Sequence, residues 1–414
     1  MLVRSKAQPA VGSGQRFLQR ELNSRDRMER ADKQALLLAG GGARAAYQVG
    51  CLRHIAKTVP EWRPQILTGI SAGAINAVHL ASYRGSWLDS VEALRQLWLG
   101  LNTELVYRTS VGAIVGKILT AALPLLTAGR IGRERLRGMV DTEPLRNYLR
   151  DNLSVEGDRI VGVSDNIRGG ALESLALVTT DYDSGRSTAW IESASQTLFG
   201  RGQLETRFTQ ITLSHVLASS ALPLFFPAVP INNHWHGDGG IRMTAPLSPA
   251  LHLGATRILA VSPRKRPLPL PRQALDETAP YPAPAQIAGI MLNAIFLDNL
   301  DYDALQMSRI NKLLHASQQE THGGMRPVEV MVLRPSEDLG VLAKENEFRL
   351  PKAFRFFERG FAGEHMKSAD ALSMVNFEPE YLGALINMGE RDAAARHEEI
   401  EAFLRGGSCA VPVW

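Results

Sequence analysis

The sequence predicts an α/β protein in which a central sheet is flanked by helices, followed by a mainly helical C-terminal region. Three observations predict it. Between residues 35 and 83 apolar runs and helical periods alternate in βαβα order. Both early apolar runs end in glycine-containing turns that open directly into the next helix. The composition, 45% hydrophobic and 21% charged over 414 residues, suits one large core or two medium ones and excludes collagen, coiled coil and wholesale disorder.

Taken in order, Ala35–Ala39 is the first apolar run, Ala45–Val59 has a helical period, Gln65–Thr68 is the second run and Ala72–Tyr83 the second helix. Further β-like runs are Arg159–Val163, Ser174–Thr180, Ser187–Ile191, Arg257–Val261 and Val328–Leu333. The turn-forming Asp-Tyr-Asp-Ser-Gly at 181–185 predicts a hairpin between two of them. Pro263 to Pro284 contains seven of the 22 prolines, a density that neither helix nor strand survives, so 263–285 is an extended linker. Gln286–Leu314 and Glu378–Leu404 read as helices. The expected organisation is a basic tail (1–34), a motif-bearing domain (35–262), the linker, and a mainly helical region (286–414) that packs on the domain.

The formal charge of +4 lies in one place. Residues 1–34 carry eight Lys/Arg against four Asp/Glu, an excess equal to the whole net charge. The rest of the chain is therefore balanced, with no broad basic face for a nucleic acid. Cys51 and Cys409 stand far apart without metal-ligand spacing, which excludes a disulfide framework or a zinc finger and points to a reducing compartment. The first residues lack an apolar run of signal-peptide length, so the expected location is cytoplasmic. Val111–Ala128 is almost wholly apolar but holds Lys117, Pro124 and two glycines, which argues against a membrane span. It reads as a buried or lid-like helix pair, or as a surface that docks on lipid. Segments 1–34 and 111–128 are thus the candidates for peripheral membrane contact.

Two glycine turns carry the chemistry. Gly69-Ile70-Ser71-Ala72-Gly73 is GxSxG between an apolar run and a small-residue helix. That is the pattern of a nucleophile elbow, whose tightness leaves a serine hydroxyl exposed at a helix N-terminus. Upstream, Gly40-Gly41-Gly42-Ala43-Arg44 ends the first run and aims backbone N–H groups at one point, suiting a phosphate or the oxyanion of acyl transfer. A dinucleotide fingerprint would need glycine where Ala45 stands and an acidic residue at a strand end, whereas Glu61 sits between Pro60 and Trp62. A third feature is Asp238-Gly239-Gly240, an aspartate held in a turn that lets another backbone approach. His236 lies beside it. Facing a serine directly, such an aspartate can act as its base if burial raises its pKa.

Together these motifs resemble the patatin-like phospholipase family. GGGAR at 40–44 followed by AAYQVGCL, GISAG at 69–73 and DGG at 238–240 stand in the family's order, and Ala218–Pro227 looks like a further family block. The similarity is strong over about 35–262 and looser around Arg334–Gly340 and Met388–Leu404. It implies a three-layer α/β/α fold with a mostly parallel sheet, and a Ser–Asp dyad without histidine. Carried over by motif, Ser71 is the nucleophile, Asp238 the base, and the N–H groups of Gly41 and Gly42 the oxyanion hole. Gly40, Gly69, Gly73, Gly239 and Gly240 support these turns, and Arg44 braces the glycine loop or meets a substrate phosphate. The implied substrate is a lipid ester, with no metal or nucleotide required. Two positions depart from the pattern: Ala45 replaces a glycine and Ala228 a proline. Two alternatives stand beside the hydrolase: a non-catalytic lipid-binding or regulatory protein, motivated by Ala45, and a Ser-Asp-His esterase, for which His252 is the nearest histidine downstream of Asp238. Head group, chain length and oligomeric state are not encoded in any motif.

Overall fold

The computed structural model describes residues 33–108, 138–195, 204–223, 225–265, 298–316, 325–345 and 373–407, together with positions 287, 290, 291, 294 and 295. Most of the expected basic tail, the 111–128 segment and nearly all of the Pro-rich linker lie outside these residues.

In chain order, β1 (Gln34–Leu38) passes through a 3-10 turn at Gly42–Ala45 into α1 (Ala46–Thr58), and β2 (Ile66–Ile70) leads into α2 (Ala72–Ser82). Then come α3 (Trp87–Leu99), α4 (Thr103–Val106), α5 (Glu143–Asn152), the short pair β3 (Val155–Glu156) and β4 (Arg159–Ile160), and α6 (Val161–Arg168). The hairpin strands β5 (Ser174–Asp181) and β6 (Ser187–Ser193) precede β7 (Leu204–Phe208), α7 (Leu213–Ser219), β8 (Val229–Ile231), β9 (His234–Asp238), α8 (Ser248–His252) and β10 (Arg257–Val261). The C-terminal part supplies α9 (Asn299–Ala316), β11 (Glu329–Leu333), α10 (Leu339–Glu345), α11 (Pro379–Ala395) and α12 (His397–Leu404).

The sheet runs β11-β10-β1-β2-β5-β6-β7. From β11 to β5 every neighbour is parallel, β6 turns back antiparallel, and β9 pairs antiparallel with β5. Helices cover both faces, so the central strands are near-continuous apolar runs rather than alternating ones. Alternate residues still divide between the faces. Leu36, Leu38, Leu67 and Val261 join the core under α1, α2, α3 and α11, while Leu37, Ile66, Ile258 and Ala260 join the core under α8 and α9. This is the expected three-layer α/β/α arrangement with helices added at the C-terminal end. All of α2 is buried, and its small residues let it sit directly on the sheet.

Four expectations need correction. The Arg159–Val163 run is a strand only at Arg159–Ile160; the following residues form α6, a short apolar run being compatible with either, and Gly162 lets α6 press against Ser82 at the end of α2, where a Cβ would lie 2.2 Å from the Ser82 carbonyl oxygen. The Glu378–Leu404 helix breaks at Arg396, whose Nη1 reaches the Val332 carbonyl of β11 at 3.0 Å. Within the expected Gln286–Leu314 helix, the continuous described stretch is Asn299–Ala316, two residues longer at its end. Residue 34, assigned to the tail, begins β1, and Lys33 pairs with Glu173. Beyond residue 262, β11 extends the same sheet in parallel beside β10.

Helix α11 seals the outer face of α1. The two backbones touch reciprocally: a Cβ on Gly50 would lie 1.9 Å from the Ile386 carbonyl oxygen, and one on Gly389 2.1 Å from that of Tyr47. Overpacking of this kind costs about 1–3 kcal/mol or more because backbone cannot move aside. Gly50→Ala is therefore expected to lower the urea midpoint of unfolding. By contrast Gly383→Ala on the same helix would meet only the far end of Leu99 at 3.8 Å and is expected to be neutral or to gain up to about 1 kcal/mol from helix propensity.

Candidate active site

Strand register decides where Ser71 and Asp238 meet. One edge of β5 is filled by β6 throughout, including Thr179 and Thr180. These two residues also pair with Asp238 and Gly237 of β9, so β9 occupies the other edge, the one β2 uses up to Ile70 opposite Val178. Running in opposite directions, β2 and β9 end head to head on that edge. The residue after β2 is Ser71 and the last residue of β9 is Asp238.

The side chains make direct contact: Ser71 Oγ donates to Asp238 Oδ2 at 2.5 Å. Ser71 has φ 56°, one of three non-glycine residues with positive φ among those described, which is the strain expected of a nucleophile elbow. Its neighbours must be glycine because a Cβ on Gly73 would lie 2.1 Å from the Leu38 carbonyl oxygen, and one on Gly69 2.6 Å from the Ala74 Cα. Ser71 is 5% exposed and caps α2, whose N-terminal dipole favours negative charge there.

Asp238 is wholly buried. Its Oδ1 accepts the Gly240 N–H at 2.8 Å, and its backbone carbonyl accepts Thr180 Oγ1 at 2.8 Å. Burial raises its pKa from 3.8 to about 7; the hydrogen bonds from Ser71 and Gly240 pull the other way without cancelling it. Gly239 sits where a Cβ would lie 2.2 Å from the Val178 carbonyl oxygen, so a close backbone approach is what the DGG turn provides.

No histidine bonds to Ser71 or Asp238 among the described residues. His252 is exposed on α8, its Nδ1 2.7 Å from the Ser248 carbonyl, so it takes no part in a triad. His236 is buried edge-on to Trp190 with Nδ1 3.1 Å from Thr179 Oγ1, and burial lowers its pKa. Asp181, Asp183 and His234 place ligand atoms within 4.8 Å of one another, but Asp181 closes the hairpin turn by accepting the Asp183 N–H and the Ser184 hydroxyl.

The glycine loop lies beside the serine, with a Cβ built on Gly40 falling 2.9 Å from Ser71 Cβ. Gly42 has φ 57° and touches the C-terminal segment, where a Cβ would lie 2.1 Å from the Met374 carbonyl oxygen. Arg44 is buried at 3% exposure and its Nε donates to Ser373 Oγ at 2.6 Å. Ala45 is fully buried and its carbonyl accepts Asn76 Nδ2 at 3.2 Å, so the extra methyl is absorbed in the core. From Ser71 a narrow apolar cleft extends along Ile75, Trp98, Leu149, Phe226 and Phe377.

Sequence reasoning brought together Ser71, Asp238 and both glycine turns but missed two features. Ser219 accepts the Ser71 N–H at 3.1 Å and donates to the Val178 carbonyl at 2.6 Å. It lies inside the Ala218–Pro227 block, a signal of proximity that gives no role. Residues 373–377 wall the cleft and cover the glycine loop, and no pattern in the sequence announces that contact.

The family model for patatin-like phospholipase matches residues 36–251, more than half of the chain. No curated protein matches the sequence. Among solved structures, VipD from Legionella pneumophila is 11% identical with a TM-score of 0.32, over 91% of this chain and 67% of VipD. Human GIVD cytosolic phospholipase A2, in complex with methyl gamma-linolenyl fluorophosphonate, is 12% identical with a TM-score of 0.43, over 91% of this chain and 59% of the human protein. The type III effector protein ExoU is 14% identical with a TM-score of 0.29, over 87% and 54%. This chain thus spans only about half to two thirds of their lengths. The chain belongs to the patatin-like phospholipase family.

The buried carboxyl has a stability signature. Its folded pKa lies above the unfolded value, so the folded state holds the proton more tightly, and stability falls as pH rises from about 4 to about 7. Asp238→Asn removes a carboxylate that is ionised and buried at pH 8 but mostly protonated at pH 5. Thermal unfolding is therefore expected to show a gain of a few degrees in Tm at pH 8 and a smaller one at pH 5; an equal change at both would contradict the assigned burial cost.

Proposed function

We propose that this member of the patatin-like phospholipase family is a lipid acyl hydrolase working through a Ser71–Asp238 dyad. One observation carries the reading: a strained serine hydroxyl bonded at 2.5 Å to a wholly buried aspartate, opening onto an apolar cleft that suits a fatty acyl chain. Asp238 takes the Ser71 proton as Oγ attacks the ester carbonyl carbon. The carbonyl oxygen becomes an oxyanion held by the N–H groups of Gly41 and Gly42, each such donor being worth roughly 3–4 kcal/mol. When the tetrahedral species collapses, the alcohol part leaves with the proton from Asp238 and the acyl group stays on Ser71. Water, deprotonated by the same carboxylate, attacks the acyl carbon; Ser71 recovers its proton from Asp238 and the fatty acid departs.

A base with a pKa near 7 keeps a large ionised fraction at neutral pH while being more basic than an ordinary carboxylate towards a hydroxyl proton. The glycine loop supports the same reading, since it is packed closely against Met374 at Gly42 and its Arg44 side chain is bonded to Ser373. Peripheral contact with a lipid surface through 1–34 or 111–128 is part of the proposal, with basic residues near anionic lipid worth about 1 kcal/mol each. No described helix is long and apolar enough to cross a membrane.

Purified protein is expected to hydrolyse phospholipid or lysophospholipid esters with kcat/KM rising through pH 7 to a plateau as Asp238 loses its proton. Ser71→Ala and Asp238→Asn are each expected to lower kcat/KM by about 10³-fold or more. Hydrolysis equal before and after Ser71→Ala would overturn the assignment.

A further inference from the structure

We propose that Ser219 is a positioning residue that clamps the backbone of Ser71 in its reactive conformation; this rests on the nucleophilic role proposed for Ser71. Ser219 ends α7 and is wholly buried. Its hydroxyl is used in both directions, accepting the Ser71 N–H at 3.1 Å and donating to the Val178 carbonyl at 2.6 Å. Val178 is the β5 residue opposite Ile70, beside the gap where β2 stops and β9 stops. The hydroxyl therefore ties the residue after β2 to β5 beside the break, where β2 no longer pairs with β5.

Two consequences follow from elementary chemistry. The Ser71 N–H sits on a strained residue and is buried, so removing its acceptor leaves an unpaired donor, and the least costly response is rotation of the turn. That rotation moves Oγ away from Asp238. A second consequence is that the Ser71 N–H is already spent and adds nothing to oxyanion binding, which leaves that role to the glycine loop. Asp238 then provides the readout. The Ser71 hydrogen bond stabilises its carboxylate, so losing the bond moves ionisation to higher pH. Gly240 N–H still faces the other oxygen, and Tyr182, the titratable neighbour coupled to Asp238, stays neutral because burial and the Asp238 charge push its phenol up to about 12.

The test measures the rate at which a fluorophosphonate labels Ser71 as a function of pH in the full chain, in wild type, Ser219→Ala, Ser219→Thr and Ser82→Ala. Ser82 donates to the His79 carbonyl within α2, so its variant removes a buried hydroxyl from the nucleophile's own helix without touching the junction. Ser219→Ala is expected to label roughly 10- to 100-fold more slowly, with its midpoint moved above the wild-type one. Ser219→Thr, which retains the hydroxyl, recovers much of the rate if its methyl is accommodated, and Ser82→Ala keeps rate and midpoint. Thermal unfolding of each variant reports the folded fraction, and a loss of rate that follows only the folded fraction, with the midpoint unmoved, overturns the clamp. Equal labelling in wild type and Ser219→Ala also overturns it. A wild type that labels at Ser71 but hydrolyses no lipid ester overturns the lipid-hydrolase reading alone, and a wild type that does not label overturns both.

Discussion

The site depends on β2 and β9 ending head to head on one edge of β5. Parallel β2 ends with Ile70 opposite Val178, so Ser71 follows at once, antiparallel β9 brings Asp238 down to Thr179, and adjacent residues of β5 thereby fix the separation of the two side chains. A one-residue slip of either strand would turn its side chains to the opposite face of the sheet, so the register is pinned by the same cores that hold the layers together. The central hydrogen bond is thus a property of the sheet, and the loops around it only refine it.

That geometry is held against a cost. A non-glycine residue at φ 56° and a carboxyl with no solvent exposure both oppose folding. They persist because their surroundings are over-determined: α2 is buried on every side, glycines at 69, 73 and 239 allow backbones to touch, and α11 locks α1 behind the glycine loop. The burial that destabilises the aspartate also raises its pKa to about 7, the property on which the proposed role as a base draws.

Much of this was legible in the sequence. The βαβα order, the DYDSG hairpin and the two glycine turns are local signals, and each maps onto an observed element because propensity and packing agree there. The pairing of Ser71 with Asp238, 167 positions apart, was reached through resemblance to a family, since no periodicity encodes which strand edge β9 will join. Ser219 and the 373–377 wall were not legible for the same reason: both act across long sequence separations, and a serine that ties the end of β2 to β5 looks like any other serine. The misread strand at Arg159–Val163 shows the converse. Ile160 and Val163 are buried, but short apolar runs do not tell strand from helix, and here the chain turns into α6 against α2.

The most direct test of the central claim is infrared titration of the Asp238 carboxyl, with Asp238→Asn identifying its band and separating it from Asp303, whose pKa burial raises to about 6. The account predicts a protonated-carboxyl stretch that is absent in the variant and disappears in the wild type around pH 7. A band that vanishes near pH 4 would mean that the aspartate is solvated in solution, and the buried dyad would be contradicted.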